Sequence, residues 1–337
     1  MRGSAPWRLG LILTRTPFRA SFFGGGTDIP WFYEEHGPGA VVSVAINKYV
    51  YLSIRDSFFK GQTLLKYSET ESVSDVTQIR HPIFRRILAS NHLSGIEIGV
   101  TSDIPAGTGL GSSSTFTVGL LRLLDDYLGN YRSLSEIAEN AFEIEHELSE
   151  GAIGKQDQYA SAIGGFNQFV FNADGTVNRT PIEISEKQQL QIDSSLFLVF
   201  TGVETRSATS VLQRQREEAS KSQQKLESLF ELRRMALEFP ARFQAEGTDA
   251  IGNYLEKAWD LKVASTYSEA VNVAAGIIET GIKAGARGGK LLGAGGGGFV
   301  LFWVDPENHA NFAHHFEDEL VIPISVDYEG TKVVFKD

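Results

Sequence analysis

The sequence predicts a mixed α and β chain folded as two domains. Three observations carry this expectation. At 337 residues the chain is long enough for two domains and a large buried core. Its first half alternates β-favouring runs with glycine-rich connections, and its second half turns to long, charged, helix-like stretches. The composition changes near residue 190, which sets the expected domains at 14–190 and 191–337.

Each element follows from local pattern. Leu11 to Thr14 opens a first strand. Ala40 to Arg55 is a long β-favouring run with Val41, Val42, Val44, Ile46, Tyr49, Val50, Tyr51 and Ile54. Ile96 to Thr101 is a further strand. Ser112 to Leu128 is an amphipathic helix with Phe116, Leu120, Leu123, Leu124 and Tyr127 on its apolar side. Ser133 and Glu136 form a capping-box pattern for a helix from Leu134 to Leu148. Gly164-Gly165 opens a short β segment through Phe171. Leu196 to Phe200 is a buried type of strand. Ser207 to Glu238, Thr248 to Leu261 and Ser268 to Ala284 read as helices, and Gly298 to Val304 and Val333 to Phe335 as strands.

Composition excludes several functions. Hydrophobic residues at 42% and charged residues at 22% lie in the globular range. A net charge of −11 disfavours sequence-independent nucleic-acid binding, which relies on Lys and Arg. The absence of cysteine removes disulfides, thiolate zinc sites and cysteine nucleophiles, and fits a reducing compartment. No apolar run approaches the roughly 18 residues of a membrane span. The basic start and short apolar patch at Met1 to Leu13 lack the features of a signal peptide. A cytoplasmic protein without nucleic-acid or membrane partners is expected; the oligomeric state is not legible.

The most telling stretch is Pro105-Ala-Gly-Thr-Gly-Leu-Gly-Ser-Ser-Ser114, between a strand and a helix. Glycines let backbone N–H groups approach an anion, and a helix N-terminus adds unpaired donors and partial positive charge. The Walker pattern fails, because no lysine lies between Asp103 and Asp125. The dinucleotide pattern has Gly107 and Gly109 but Ser112 at its third glycine. By itself the loop reads as a phosphate cradle or as a ligand-free glycine turn.

Three further segments carry chemistry. Arg19 and Asp28 bracket Gly24-Gly25-Gly26-Thr27, a carboxylate beside exposed amides that suits polyhydroxyl recognition. Asp28 alone reads equally as a turn or cap residue before Ile29-Pro30. Glu143 to Asp157 runs from a helix end into a glycine-containing turn with an acid at each end, one able to hold Mg²⁺ and the other to sit by a hydroxyl. Lys155 is near enough in sequence to pair with Asp157. Gly288 to Phe299 is glycine-dense beside a β run, as where backbone packs close to a ligand or another chain.

Together, Arg19…Gly24-Gly-Gly-Thr-Asp28, Pro105…Gly109-Leu-Gly-Ser-Ser113 and Lys290-Leu-Leu-Gly-Ala-Gly-Gly-Gly-Gly298 stand in the order of the GHMP-superfamily small-molecule kinases, which the chain resembles from Thr14 onward. Thr16-Pro-Phe-Arg19, the triple glycine and Gly154-Lys-Gln-Asp-Gln158 look most like the bacterial D-glycero-D-manno-heptose 7-phosphate kinases. The resemblance implies an α+β fold with a ribosomal-protein-S5-like first domain, a ferredoxin-like second domain and the active site in the cleft between them. It implies ATP and Mg²⁺, with Pro105, Gly107, Gly109, Leu110, Gly111, Ser112, Ser113 and Ser114 around the ATP phosphates. Ser113 and Glu145, twelve residues before Asp157, would hold Mg²⁺, with Glu143 as the fallback. Asp157 would be the catalytic aspartate and Arg19 would steady the charge that develops. Gly25, Gly26, Thr27, Asp28 and the loop at Gly295, Gly296 and Gly297 would face the sugar. A substrate that already carries a phosphate needs a second anion pocket, for which Arg206 is the candidate beside its reading as a surface arginine. The reaction implied is phosphorylation of the anomeric hydroxyl of heptose 7-phosphate. The alternatives are a kinase of an unphosphorylated fucose-like or mannose-like sugar, and a non-catalytic sugar- and ATP-binding sensor. Gly24-Gly-Gly26 stands where galactokinases carry Gly-Glu-His, which argues against galactose. The sequence assigns no adenine pocket; Tyr67 and Ser68, in a hairpin-like stretch, are only possible neighbours.

Overall fold

A computed structural model describes residues 10–203, 222–265 and 268–337. The first sheet begins with β1 (Ile12–Phe23) and, after the short helix α1 (Pro30–His36), the long β2 (Gly39–Asp56). β1 begins within Leu11 to Thr14 as expected, and its pattern of buried side chains continues to Phe23, with Pro17 accommodated at a register shift. The hairpin β3 (Thr63–Lys66) and β4 (Thr70–Val73) and the helix α2 (Pro82–Ser90) precede β5 (Ile96–Ser102). β2 pairs along its length with β1, and with β5 and β6 (Phe166–Phe171) at its two ends. The sheet is antiparallel except where β3 joins β5.

Between β5 and β6 lie α3 (Ser112–Leu128), α4 (Leu134–Leu148) and α5 (Gln156–Ile163). The expected capping box starts α4: Ser133 Oγ accepts from Glu136 N while the Glu136 carboxylate accepts from Ser133 N. The helix α5 was not visible in the sequence. It places Asp157 in its first turn.

β7 (Val177–Pro181) and α6 (Glu186–Ser195) lead to the second sheet, whose first strand is β8 (Leu196–Phe200). The helices α7 (Gln223–Glu246), α8 (Asp249–Ser265) and α9 (Glu269–Lys283) follow. The chain then forms β9 (Ala286–Leu291), β10 (Phe299–Val304), α10 (His309–His315), β11 (Val321–Ile324) and β12 (Lys332–Lys336). The sheet order is β11-β8-β10-β9, all antiparallel, the 4-1-3-2 arrangement of a ferredoxin-like unit.

Residue 190, the expected boundary, falls inside α6, between the strands of the two sheets, and one later strand crosses back. β12 returns to the first sheet, pairing with β1. One core also joins the two: Phe22, Phe23 and Phe166 cluster with Phe239 and Phe243 of α7, and Leu196, Phe299 and Trp303 of the second sheet belong to the same buried set.

α7 extends eight residues past the expected end at Glu238, through Pro240. Proline removes one backbone donor and orphans the carbonyl four residues earlier. Here Gln168 Nε2 of β6 donates to that carbonyl, Ala236 O, at 2.7 Å. The side chain replaces the missing helical bond, and the helix continues. The part of the expected helix at 207–221 lies outside the described residues.

Candidate active site

A cavity of about 1150 Å³ is lined by parts of all four segments singled out in the sequence. The loop from Pro105 crosses its roof. Pro105, Gly107, Gly109, Gly111, Ser112, Ser113 and Ser114 line it. Leu110 does not; its side chain is fully buried in the core, and its carbonyl accepts from Arg19 N at 3.4 Å. Gly111 is the N-cap of α3 with φ +77°, a left-handed geometry that favours glycine.

The second glycine loop supports the first one. A Cβ on Gly298 would lie 2.0 Å from Thr108 O, so only glycine permits this approach. Phe299 N donates to the same Thr108 carbonyl at 3.2 Å. Gly293 and Ala294 reach the cavity wall, whereas Gly295, Gly296 and Gly297 are not among its lining residues. Gly295 O accepts from Ser268 Oγ, and Gly297 backs onto Val203. The substrate role expected for these three glycines thus has no support from position; close packing against Val203 O accounts for Gly297.

Arg19 and Asp157 meet across 138 residues of sequence. Arg19 Nε donates to Oδ1 at 2.6 Å and Nη2 to Oδ2 at 2.7 Å, while Nη1 donates to Gly109 O at 2.8 Å. This fork fixes the carboxylate plane and ties it to the glycine loop. The suggested Lys155–Asp157 pair is not formed. Lys155 is buried instead against Glu139 and Gly175 O, at 2.5 and 2.6 Å.

Asp28 lies on the other side of Asp157. It does not cap α1; Ile29 occupies that position. Its Oδ1 accepts from Gly26 N at 2.9 Å and its Oδ2 from Gln156 N at 3.2 Å, so it links the triple-glycine turn to the start of α5. Burial and the neighbouring Asp157 push its pKa up to about 6, against the pull of those amides. Gly25 and Gly26 line the cavity, but Thr27 does not. Thr27 is fully buried and its hydroxyl donates to Gly24 O and Ala40 O, pinning the turn to β2.

Ser113 and Glu145 are brought together, and Glu143 is exposed on the outer face of α4. Ser113 Oγ donates to Glu145 Oε1 at 2.5 Å, and Gln158 Nε2 donates to Oε2 at 2.7 Å. Burial raises the Glu145 pKa, and the hydrogen bonds from Ser113, Ser114 and Gln158 oppose the rise. A buried carboxylate and a hydroxyl, both hard oxygen donors at the cavity wall, fit a Mg²⁺ ion that keeps its remaining positions for waters and phosphate oxygens. Arg206 lies outside the described residues.

Residues with no role assignable from sequence also reach the site. Trp31, Gln156, Lys262 and Lys290 also line the cavity. The indole Nε1 of Trp31 and the Oε1 of Gln156 are buried without a partner among the described residues. Nothing local marks Lys262, an ordinary cation in an amphipathic helix. Val50, Tyr67, His81, Ile83, Val100 and Phe116, with Tyr67, His81 and Phe116 in one ring cluster around Phe84, form a largely apolar wall. Tyr67 and Ser68 do sit at the β3–β4 turn on this wall, fixed where Tyr67 OH donates to Glu71.

A glycine loop at a helix start, a forked Arg–Asp pair beneath it and a Ser–Glu pair beside it are the layout that the family resemblance implied. Comparison decides the matter. Residues 78–165 match the model of the GHMP kinases N terminal domain and residues 243–317 that of the GHMP kinases C terminal. The chain is 30% identical to the D-glycero-alpha-D-manno-heptose 7-phosphate kinase of Campylobacter jejuni, over 95% of this chain and 98% of that one. It belongs to the GHMP kinases. It is therefore a phosphotransferase. Among solved structures, this GHMP kinase is similar to a D-glycero-D-manno-heptose 1-phosphate kinase from Bacteroides thetaiotaomicron (TM-score 0.78, 24% identity, 96% and 99% of the two chains). It is also similar to Lactococcus lactis galactokinase (TM-score 0.73, 15% identity, 96% and 95%). At those identities the two structures establish the shared fold.

Proposed function

We propose that this kinase transfers the γ-phosphoryl group of ATP to the anomeric hydroxyl of D-glycero-D-manno-heptose 7-phosphate. The observation that carries the reaction type is the Arg19–Asp157 fork, held between the glycine loop and Asp28 at the cavity wall. The choice of acceptor follows the Campylobacter relative.

In this reading the adenine lies on the apolar wall near Tyr67 and Phe116, and the phosphates lie under the amides of Gly107 to Ser114. Ser113 and Glu145 would hold Mg²⁺, which would supply charge neutralisation on the phosphate oxygens. Asp28 accepts from sugar hydroxyls and orients the ring. Asp157 faces the attacking hydroxyl and takes its proton as the new O–P bond forms and the bond to the β-phosphate oxygen breaks, releasing ADP. An anomeric hydroxyl is more acidic than an ordinary alcohol, so proton transfer late in the step suffices. Arg19 keeps Asp157 aimed and offsets the charge on the phosphoryl group in flight.

The test is an ADP-release panel of heptose 7-phosphate, heptose, mannose, fucose and galactose. Heptose 7-phosphate should give the highest kcat/KM. A preference for an unphosphorylated sugar overturns the acceptor assignment, and ATP binding without turnover on any sugar favours a sensor. Asp157→Asn should lower kcat by orders of magnitude with nucleotide affinity intact. Near-wild-type turnover in that variant removes Asp157 from the chemistry.

A further inference from the structure

We infer that Lys290 and Lys262 form an anion site on the cavity wall that receives a phosphate group of one of the two substrates. The inference rests on the phosphotransferase reading but not on the identity of the sugar.

Lys290 is the residue that demands explanation. It is buried, with 7% of the residue exposed, yet it lines the cavity. Its ammonium donates to Phe22 O at 2.8 Å, and no carboxylate of the described residues lies within ion-pair distance of it. An ammonium has three donors, so two remain for the cavity. Lys262 enters from α8 and donates to Gly293 O at 2.7 Å and Leu291 O at 3.2 Å, behind the turn that ends β9. Arg19 completes a group of three cations close enough to repel one another.

A buried Lys290 ammonium with no carboxylate beside it among the described residues is unfavourable as it stands. Burial, Lys262 and Arg19 together hold the Lys290 pKa well below the ordinary lysine range, and burial lowers that of Lys262 to about 8. Buried charge is retained where a partner offsets it. Asp157 is already engaged by Arg19, and Asp28 by two amides. A phosphate dianion supplies Lys290 with a counter-charge and with acceptor oxygens for its two remaining donors. A structural role in holding Phe22 O needs only one donor and no charge.

Two phosphates have this chemistry: the γ-phosphate of ATP and the phosphate ester of the sugar. Lys290→Met and Lys262→Met separate them. The methionine stem fills the same space, so removing a buried charge should leave the melting temperature of the ligand-free protein equal or higher. Calorimetric titration with ADP, with the non-hydrolysable analogue AMP-PNP, each with Mg²⁺, and with heptose 7-phosphate then reads the site. A loss of about tenfold to a hundredfold is expected for the ligand whose phosphate is held, the range for a hydrogen bond to a charged group. If AMP-PNP weakens and ADP does not, the site takes the γ-phosphate. If heptose 7-phosphate weakens and both nucleotides do not, it takes the sugar phosphate. Unchanged affinity for all three ligands in both variants overturns the inference, as does a lowered melting temperature with the full ligand-induced shift retained. Should the sugar fail to bind the wild type, the nucleotide arms still decide for the γ-phosphate, and only the acceptor assignment is lost.

Discussion

The sharpest test of the site geometry is Gly111→Ala. Gly111 carries the roof loop into α3, and a Cβ there would lie 2.9 Å from Asp157 Oδ2, 3.1 Å from Cγ and 3.3 Å from Cβ. Comfortable contact begins near 3.5 Å, so the carboxylate must retreat by roughly half an ångström. A free aspartate would rotate away at little cost. Asp157 is not free: both oxygens are held by Arg19 at 2.6 and 2.7 Å. The strain therefore falls on the fork itself. A misplacement of about 1 Å at a reacting group costs on the order of 10²-fold in rate, so half of that predicts a loss of about tenfold in kcat.

Alanine at φ +77° also costs about 1–2 kcal/mol of backbone strain whatever its surroundings. Gly129→Ala supplies the control. Gly129 has φ +71°, and nothing lies within 4 Å of its would-be Cβ. Both variants should lose similar stability in a thermal melt. Only Gly111→Ala should lose turnover in an ADP-release assay, and its nucleotide affinity should fall less than its kcat. If the two variants keep kcat within twofold of each other, Asp157 is not positioned by this contact and the reasoning fails.

Other outcomes follow from the same contacts. Because the folded pKa of Asp28 is raised to about 6, kcat/KM for the acceptor should climb with pH to near 6 and then level, and Asp28→Asn should abolish that limb in a pH–rate profile. The same shift has a stability sign: folded Asp28 holds its proton more tightly than the unfolded chain, so stability falls as pH rises from about 4 through 6, by roughly 3 kcal/mol at most. Ser113→Ala and Glu145→Gln should each raise the Mg²⁺ concentration for half-maximal rate about tenfold or more, while leaving the melting temperature within a few degrees; an unchanged Mg²⁺ titration rejects the assigned pair. Gln168→Leu should cost about 1–3 kcal/mol in denaturant unfolding, because Ala236 O is then buried opposite Pro240 with no donor. A loss no larger than a few tenths would mean that the helix satisfies that carbonyl by itself.

The sequence was legible where chemistry and local pattern coincide. Ser112 to Leu128 and Leu134 to Leu148 form as helices over those bounds, because apolar spacing and a capping box are encoded within one turn of where they act. The family resemblance implied that Ser113 and Glu145 act together, and the structure brings them into contact. The helix at Gln156 was invisible because it begins after glycine and lysine with no side-chain cap; Asp28, from another segment, supplies the acceptor for Gln156 N. The continuation of α7 through Pro240 was invisible for the same reason, its compensating donor being on β6. Lys155 was misread because proximity in sequence suggested Asp157, while the fold buries it against Glu139.

The glycine loops show why motif reading overreaches at a site like this one. A missing Cβ serves a ligand and a neighbouring chain equally well, and the sequence records only that it is missing. In the roof loop, Gly107 and Gly111 face the cavity, and there the ligand reading has a place to act. In the second loop, Gly298 packs on Thr108 O, Gly293 packs on Gly109 and Gly297 packs on Val203 O, so most of its glycines let two backbones touch. The two motifs are then one device. The second loop is the seat of the first, and Phe299 N bonded to Thr108 O sets its height above Arg19 and Asp157. A substitution at Gly298 would act on the phosphate loop from behind, with no group of its own at the cavity.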